Sequence, residues 1–264
     1  MDERGAMACE AWLREHGDGV SWGWVVARPA QESWELRHVL DAGRAESELR
    51  VLEPAALRAW ADQTDAGMFR PLKSGPGLRR GWRCRVSGHG DLELALNGIH
   101  PGGLGDWWAV RSGEARPVSF GEHMGRQTGV YRGARGLADG EVRAVVRACC
   151  GPGRCIKDRR WNAGGLGADA PGAKSAVPCL EPCALAMDMA RAMARMASAE
   201  RMEARLSAAD MAVVRAALER ASSLPPPEGM READLSEPAH PRRMQLLLEW
   251  LGPEWGGTAA SPKE

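Results

Sequence analysis

The chain has 264 residues, enough for one large domain or two small ones that bury a core without help from disulfides. Its 35 lysines and arginines balance 35 aspartates and glutamates, so no global field recruits nucleic acid or an anionic membrane surface, and partners must be recognised locally. No stretch approaches the roughly 20 apolar residues of a membrane-spanning helix, and the opening Met1-Asp2-Glu3-Arg4 lacks the basic-then-apolar order of a signal peptide, which implies a cytoplasmic protein.

In chain order, a short apolar-spaced segment surrounds Trp12. The runs from Ser21 to Val26 and from Trp34 to Leu40 read as two strands of an antiparallel hairpin that turns at Pro29. A helix starts at Pro54, with Leu57, Trp60 and Ala61 on one face, and ends before Gly67. The glycine-, proline- and arginine-rich stretch from Gly67 leads into a strand over Trp82 to Val86. Helices follow over Asp91 to Asn97 and Gly105 to Val110.

From Asp139, an N-cap by residue type, Val142, Val145, Val146 and Cys149 share one face of a helix that Gly151-Pro152-Gly153 stops. A glycine-rich loop from Ala163 to Ala176 precedes a long helix from Pro182 to beyond Arg201, with Leu185, Met189, Met193 and Met196 along its stripe. Ser207 to Ala221 and Met244 to Leu251 read as further helices around the breaker Pro225-Pro226-Pro227. The fold class is therefore α+β: a small mixed sheet-and-helix domain over 1–135, a mainly helical cysteine domain over 136–205, and a helical extension and tail over 206–264.

Five of the seven cysteines, Cys149, Cys150, Cys155, Cys179 and Cys183, fall within 35 residues, leaving only Cys9 and Cys84 elsewhere. An odd count in a reducing compartment points to thiols or metal ligands rather than a disulfide framework. Cys150 and Cys155 bracket the tight Gly151-Pro152-Gly153-Arg154 loop, and Cys179 and Cys183 stand four apart at a helix opening, so both sulphurs face one side. Two pairs of thiolates are what a 4Fe-4S cubane takes, one cysteine per iron.

Zinc also takes four soft ligands, although its usual knuckles have two residues between cysteines where these have four and three. Purely structural cysteines are the third reading. Cys149 continues the apolar face of its helix while Cys150 turns away, so Cys150 is preferred as first ligand, with Cys149 the alternative. Cys9 and Cys84 read as packing residues, and the six scattered histidines show no ligand spacing.

Arg154, Lys157, Arg159 and Arg160 surround the loop. They would offset the charge of an anionic cluster and form an exposed basic rim for an acidic redox partner or a polycarboxylate, or simply keep the loop solvated.

The segments GMFRPLKSGPGLRRGW (67–82), ALNGIHPGGLGDWWAVRSG (95–113), GRQTGVYR (125–132) and VPCLEPC (177–183) occur in the order seen downstream of the chelatase domain in sirohydrochlorin cobaltochelatase-like proteins. The chain resembles that family over roughly residues 20–195. The resemblance implies a stabilising domain followed by a 4Fe-4S domain, with ligands mapping onto Cys150, Cys155, Cys179 and Cys183. It leaves no room before Trp22 for the histidine-lined chelatase domain, so chelatase activity would be absent or reside on another chain.

The resemblance and the cysteines together imply an accessory protein of cobalamin or siroheme metal handling, which transfers electrons to, or senses redox state for, a separate chelatase or redox partner. The alternative is a zinc-stabilised interaction module. Arg70, Lys73, Arg79 and Arg80, together with Arg126, Gln127, Thr128 and Tyr131, are candidates for gripping tetrapyrrole carboxylates or the companion chelatase, against a plain role in hydrogen bonding between segments. No Walker loop, dinucleotide fingerprint or nucleophile–base pair argues for independent catalysis.

Overall fold

The computed structural model describes residues 3–17, 20–63, 78–150, 155, 157–166, 177–198, 206–224, 227, 230 and 237–251. Arg70, Lys73, the Gly151–Arg154 loop, most of the glycine-rich stretch ending at Ala176, the reach of the long helix past Ser198, Pro225 and Pro226, and the tail from Gly252 lie outside the described residues. The chain forms two compact units, one from Met1–Val118, Pro152–Trp161 and Ala168–Glu181, the other from Ser119–Gly151, Asn162–Gly167 and Pro182–Glu264.

In the first unit, α1 (Glu3–His16) buries Ala8, Cys9, Trp12 and Leu13, a stripe at helical spacing. Strands β1 (Val20–Trp22), β2 (Val25–Ala30) and β3 (Ser33–His38) follow, then β4 (Arg50–Val51), α2 (Leu57–Ala61), β5 (Trp82–Val86), α3 (His89–Ile99) and α4 (Gly103–Arg111). The sheet order is β1-β2-β3-β5-β4, antiparallel except for the β4–β5 pair. The expected α+β class is observed, and the strand over Trp82 to Val86 is found as predicted.

The expected hairpin at Pro29 is corrected. Gly23, at φ 60°, turns the first run back on itself, so Ser21 to Val26 is divided between β1 and β2. β2 then continues through Pro29, which sits opposite Trp34, and the turn falls at Gln31, whose φ is 57°. β1 pairs with β2 only as far as Ala27, so Pro29 removes no donor from that ladder.

Period-two alternation sorts the sheet. Leu36, Trp82, Cys84 and Val86 are buried on one face, where they meet Trp12, Trp22, Leu92 and Leu96. The opposite face carries Glu35, Arg37, Arg83 and Arg85, paired across the strands as Glu35↔Arg85 and Arg37↔Arg83. Two arginines directly opposite would repel. Glu35 prevents this by meeting Arg37 Nε at 2.6 Å, Arg83 at 3.5 Å and Arg85 at 3.4 Å, while Glu46 binds Arg83 and meets Arg85 at 3.2 Å.

The helix expected over Asp91 to Asn97 extends to α3, which buries Leu92, Ala95, Leu96 and Ile99 and leaves Leu94 exposed. That is the i, i+3, i+4, i+7 pattern of one face. α4 starts at Gly103, where glycine is required for space: a Cβ there would stand 2.9 Å from Trp22 Cζ2 and 3.3 Å from Val177 Cγ1.

In the second unit, α5 (Phe120–Arg126) is capped by Ser119, whose hydroxyl accepts the Glu122 N–H. α6 (Asp139–Cys150), α7 (Ala184–Ser198), α8 (Ala208–Ser223) and α9 (Pro241–Leu251) make the bundle. Asp139 is the first residue of α6 rather than its cap. Ala138 takes the cap position, and the Glu141 carboxylate accepts its N–H at 2.8 Å. Val142, Val145, Val146 and Cys149 are buried on α6, and Leu185, Met189 and Met193 on α7, with Met196 half-buried. Ser207 and Asp210 form a reciprocal capping box at α8.

Burial alone would raise the Glu35 carboxyl, but hydrogen bonds and charge from Arg37 and Arg85 outweigh it and hold the pKa below the ordinary value. Its contribution to stability is therefore present above the unfolded carboxyl value of about 4.3 and is lost as pH falls through the lowered folded one. In urea denaturation, Glu35→Gln is expected to cost about 1–3 kcal/mol at neutral pH, with the gap to wild type narrowing as pH falls below the unfolded carboxyl value; a gap that persists unchanged in acid would contradict the assignment. Gly103→Ala is expected to lose about 1–3 kcal/mol through overpacking on Trp22, and an unchanged urea midpoint would show that the indole yields freely.

Candidate metal centre

The cysteine-bearing segments are positioned in two places. In the first unit, β6 (Asp158–Arg159) and β7 (Pro178–Cys179) pair in parallel, with Arg159 opposite Cys179. Asp158 N–H donates to Val177 O and Arg160 N–H to Cys179 O, each at 2.9 Å. Val177 is fully buried in the core of this unit, so the ribbon hangs from a fixed point. Cys155 enters the ribbon just ahead of β6, is buried, and accepts the Lys157 N–H on its Sγ at 3.4 Å. The half-buried Cys179 donates its S–H to Glu181 O at 3.2 Å.

In the second unit, Cys150 is the last residue of α6 and Cys183 precedes the first of α7. The two helices pack together, and Cys149, buried to 2 % exposure, points its sulphur at Leu185 O at 4.0 Å. The end of α6 therefore lies beside the start of α7. Cys150 and Cys183 are both half-buried. The predicted helical spacing of Cys179 and Cys183 is corrected: Cys179 belongs to β7 and the helix begins only at Ala184. Glu181 precedes Pro182, a position biased away from helical backbone, and the Cys179 carbonyl is already committed to the ribbon.

None of the seven cysteines is in a disulfide. Among the described residues no three histidine, cysteine or acidic side chains are assembled into a metal-holding group. The donor type nevertheless fits a cluster, since sulphur is the ligand that iron–sulphur cores take. Cys9 and Cys84 are unsuited to this. Burial first, then Glu93 for Cys9 and Glu53 and Asp91 for Cys84, pushes each thiol up to about 12 and keeps it protonated.

The expected exposed rim is also corrected at Arg159. Its side chain is 1 % exposed, bonded to Trp161 O, with the guanidinium 5.1 Å from the centre of the buried Trp161 ring. Arg160 is half-exposed and paired with Asp158 at 2.6 Å. Lys157 is half-buried, and Arg154 lies outside the described residues.

The other arginine candidates are engaged within their units. Arg79 stacks on Trp60 at 3.8 Å and donates to Gln63 at 3.0 Å, while Arg126 pairs with Glu122 at 2.7 Å. Gln127 meets His123 at 3.0 Å, and Tyr131 lies under Arg191 at 5.8 Å. Asp106, on α4, was not singled out by the sequence. Burial raises its carboxyl, Lys157 opposes and Glu181 reinforces the rise, so it belongs to the electrostatic surroundings of the ribbon. Only the tertiary neighbours carry that signal.

Residues 112–192, which contain all five clustered cysteines, match the 4Fe-4S iron-sulfur cluster binding domain, and residues 7–111 match the DR2241 stabilising domain. The two matches follow one another along the chain. Among solved structures, DR2241 from Deinococcus radiodurans is similar, at 27% identity and a TM-score of 0.59, over 72% of this chain and 41% of that one. It is described as a multi-domain protein with structural similarity to chelatases and two additional novel domains. The chain thus spans about two fifths of the length of that protein. No curated protein matches the sequence. The matched family specifies an iron–sulphur cluster, and zinc finds no support. Among the described residues no helix is long and apolar enough to cross a membrane.

Thiol labelling separates the two classes of cysteine. Under native conditions without metal, iodoacetamide at pH 8 is expected to modify Cys150, Cys179 and Cys183 and to spare Cys9 and Cys84, read by peptide mass spectrometry. Rapid native labelling of Cys84 would refute its placement in the core.

Proposed function

We propose that the chain is an iron–sulphur accessory protein in which Cys150, Cys155, Cys179 and Cys183 ligate one 4Fe-4S cluster, acting in electron transfer or redox sensing for tetrapyrrole metal handling. The observation that carries this reading is the match of residues 112–192 to a cluster-binding domain, with two cysteines on a ribbon and two at facing helix ends. A bound cluster supplies one-electron chemistry at a potential set by charge, burial and hydrogen bonds to sulphur. The protein's own residues supply those levers: the Lys157 N–H directed at Cys155 Sγ, and the buried cation of Arg159 opposite Cys179 in the ribbon.

The link to tetrapyrroles rests on the stabilising domain and on the chelatase-like architecture of DR2241. In this reading the partner is a chelatase or a redox protein, and a tetrapyrrole is the metal-bearing ligand of the shared system. Cys149, buried against Leu185, takes no part in ligation.

Anaerobic reconstitution is expected to yield a brown protein with broad absorption near roughly 400 nm and about four irons and four sulphides per chain. Serine at Cys150, Cys155, Cys179 or Cys183 is expected to reduce iron content to less than about half, whereas Cys149→Ser leaves it unchanged. Full iron and sulphide retained by Cys155→Ser and Cys179→Ser would overturn the ligand set. A reconstituted protein that stays colourless and holds no sulphide would overturn the function.

A further inference from the structure

The tryptophans of the first unit divide into two kinds. Trp12, Trp22 and Trp82 are fully buried core residues, whereas Trp107 and Trp108 are only half-buried on α4. These two rings, 6.4 Å apart, line an open cavity of about 450 Å³ between α1 and α4. That volume lies within the range of small-molecule sites, roughly 300–1,000 Å³. Trp107 meets His16 edge-on at 6.0 Å, and both Trp107 and Trp108 pack against the buried core of the first unit. The indole wall is therefore seated on the core.

The polar part of the lining selects the charge of the occupant. Arg14 and Arg111 contribute two guanidinium groups whose charges Glu10 and Glu15 balance, so the selection rests on the fork N–H donors that those pairs leave over rather than on net charge. A cation seated on the indole faces would meet both arginines, whereas an anion meets an excess of donors. Arg111 uses Nε to bind Glu15 at 2.9 Å, and Arg14 uses one terminal nitrogen on Glu10 at 2.7 Å. Further N–H groups of each fork remain for a second acceptor. Both ion pairs are exposed, and exposed pairs contribute little net stability, so exchanging a glutamate for a ligand carboxylate is inexpensive.

We propose that this cavity is a binding site for a planar aromatic carboxylate, its ring system lying against Trp107 and Trp108 and its carboxylate gripped by Arg111 with Arg14. The site is built wholly within the first unit and does not depend on the cluster.

The test is calorimetric titration of the full chain with 2-naphthoate and with its cationic counterpart 2-naphthylmethylammonium. Naphthoate is expected to bind at least about tenfold more tightly than the cation, and Arg111→Gln to weaken it about tenfold. Trp107→Ala is expected to weaken it by a similar factor, and Glu15→Gln to tighten it by removing the competing acid. Arg111 is on the surface, so its variant keeps the parent melting temperature even if the tryptophan variant does not fold. Absence of binding at millimolar naphthoate, equal binding of the two probes, or naphthoate binding unaffected by Arg111→Gln would each overturn the proposal. A concentration-dependent dimer in sedimentation that Arg111→Gln dissolves and naphthoate does not would assign the cavity to a second copy of the chain, and would overturn it likewise.

Discussion

The cysteine architecture depends on a very short piece of β-structure. Two backbone hydrogen bonds between β6 and β7 bring Arg159 alongside Cys179, twenty positions away in the sequence. Strands of two residues are marginal by themselves, and closing the intervening loop costs entropy that grows with its length. The ribbon persists because Val177, the residue before β7, is locked into the core between Trp22 and α4. Gly103 makes that contact close enough to hold, since any side chain there would occupy the space that the indole and Val177 fill. A packing constraint among apolar residues thus sets where a thiol can stand.

Charge is handled with similar economy. On the outer face of the sheet, three arginines share two glutamates, and the arrangement turns a register that sets Arg37 against Arg83 into a stabilising one. Near the ribbon, Arg159 is buried on Trp161 rather than displayed to solvent. A buried cation acts through a low local dielectric and so has far more influence on a neighbouring anionic group than the same charge at the surface. The expected solvated rim and the observed buried arginine differ in consequence as well as in position: the first would serve docking, whereas the second sets a buried cation on the strand opposite Cys179.

The two domain matches meet between residues 111 and 112, while the compact units interleave along the chain, because the segments that carry Cys155 and Cys179 return to the first unit. A family boundary records where sequences are shared. A compact unit records where the contacts fall, and here the β6–β7 ribbon belongs to the sheet unit although its sequence belongs to the cluster-binding match.

The α+β class, the helices near Asp139, Pro182 and Ser207, the strand at Trp82 and the five clustered cysteines are all legible in the order of residues alone. Each of these is local: apolar residues at periods of 3.6 or 2, caps, breakers and close spacing are written within a dozen neighbouring positions. Long-range packing settled the remainder: the turn at Gln31 in place of Pro29, the strand rather than helix at Cys179, the burial of Arg159, and the pairing of the Cys155 and Cys179 segments. Those outcomes depend on which distant side chains compete for the same space and which backbone groups find partners across the fold. Local pattern carries no information about either.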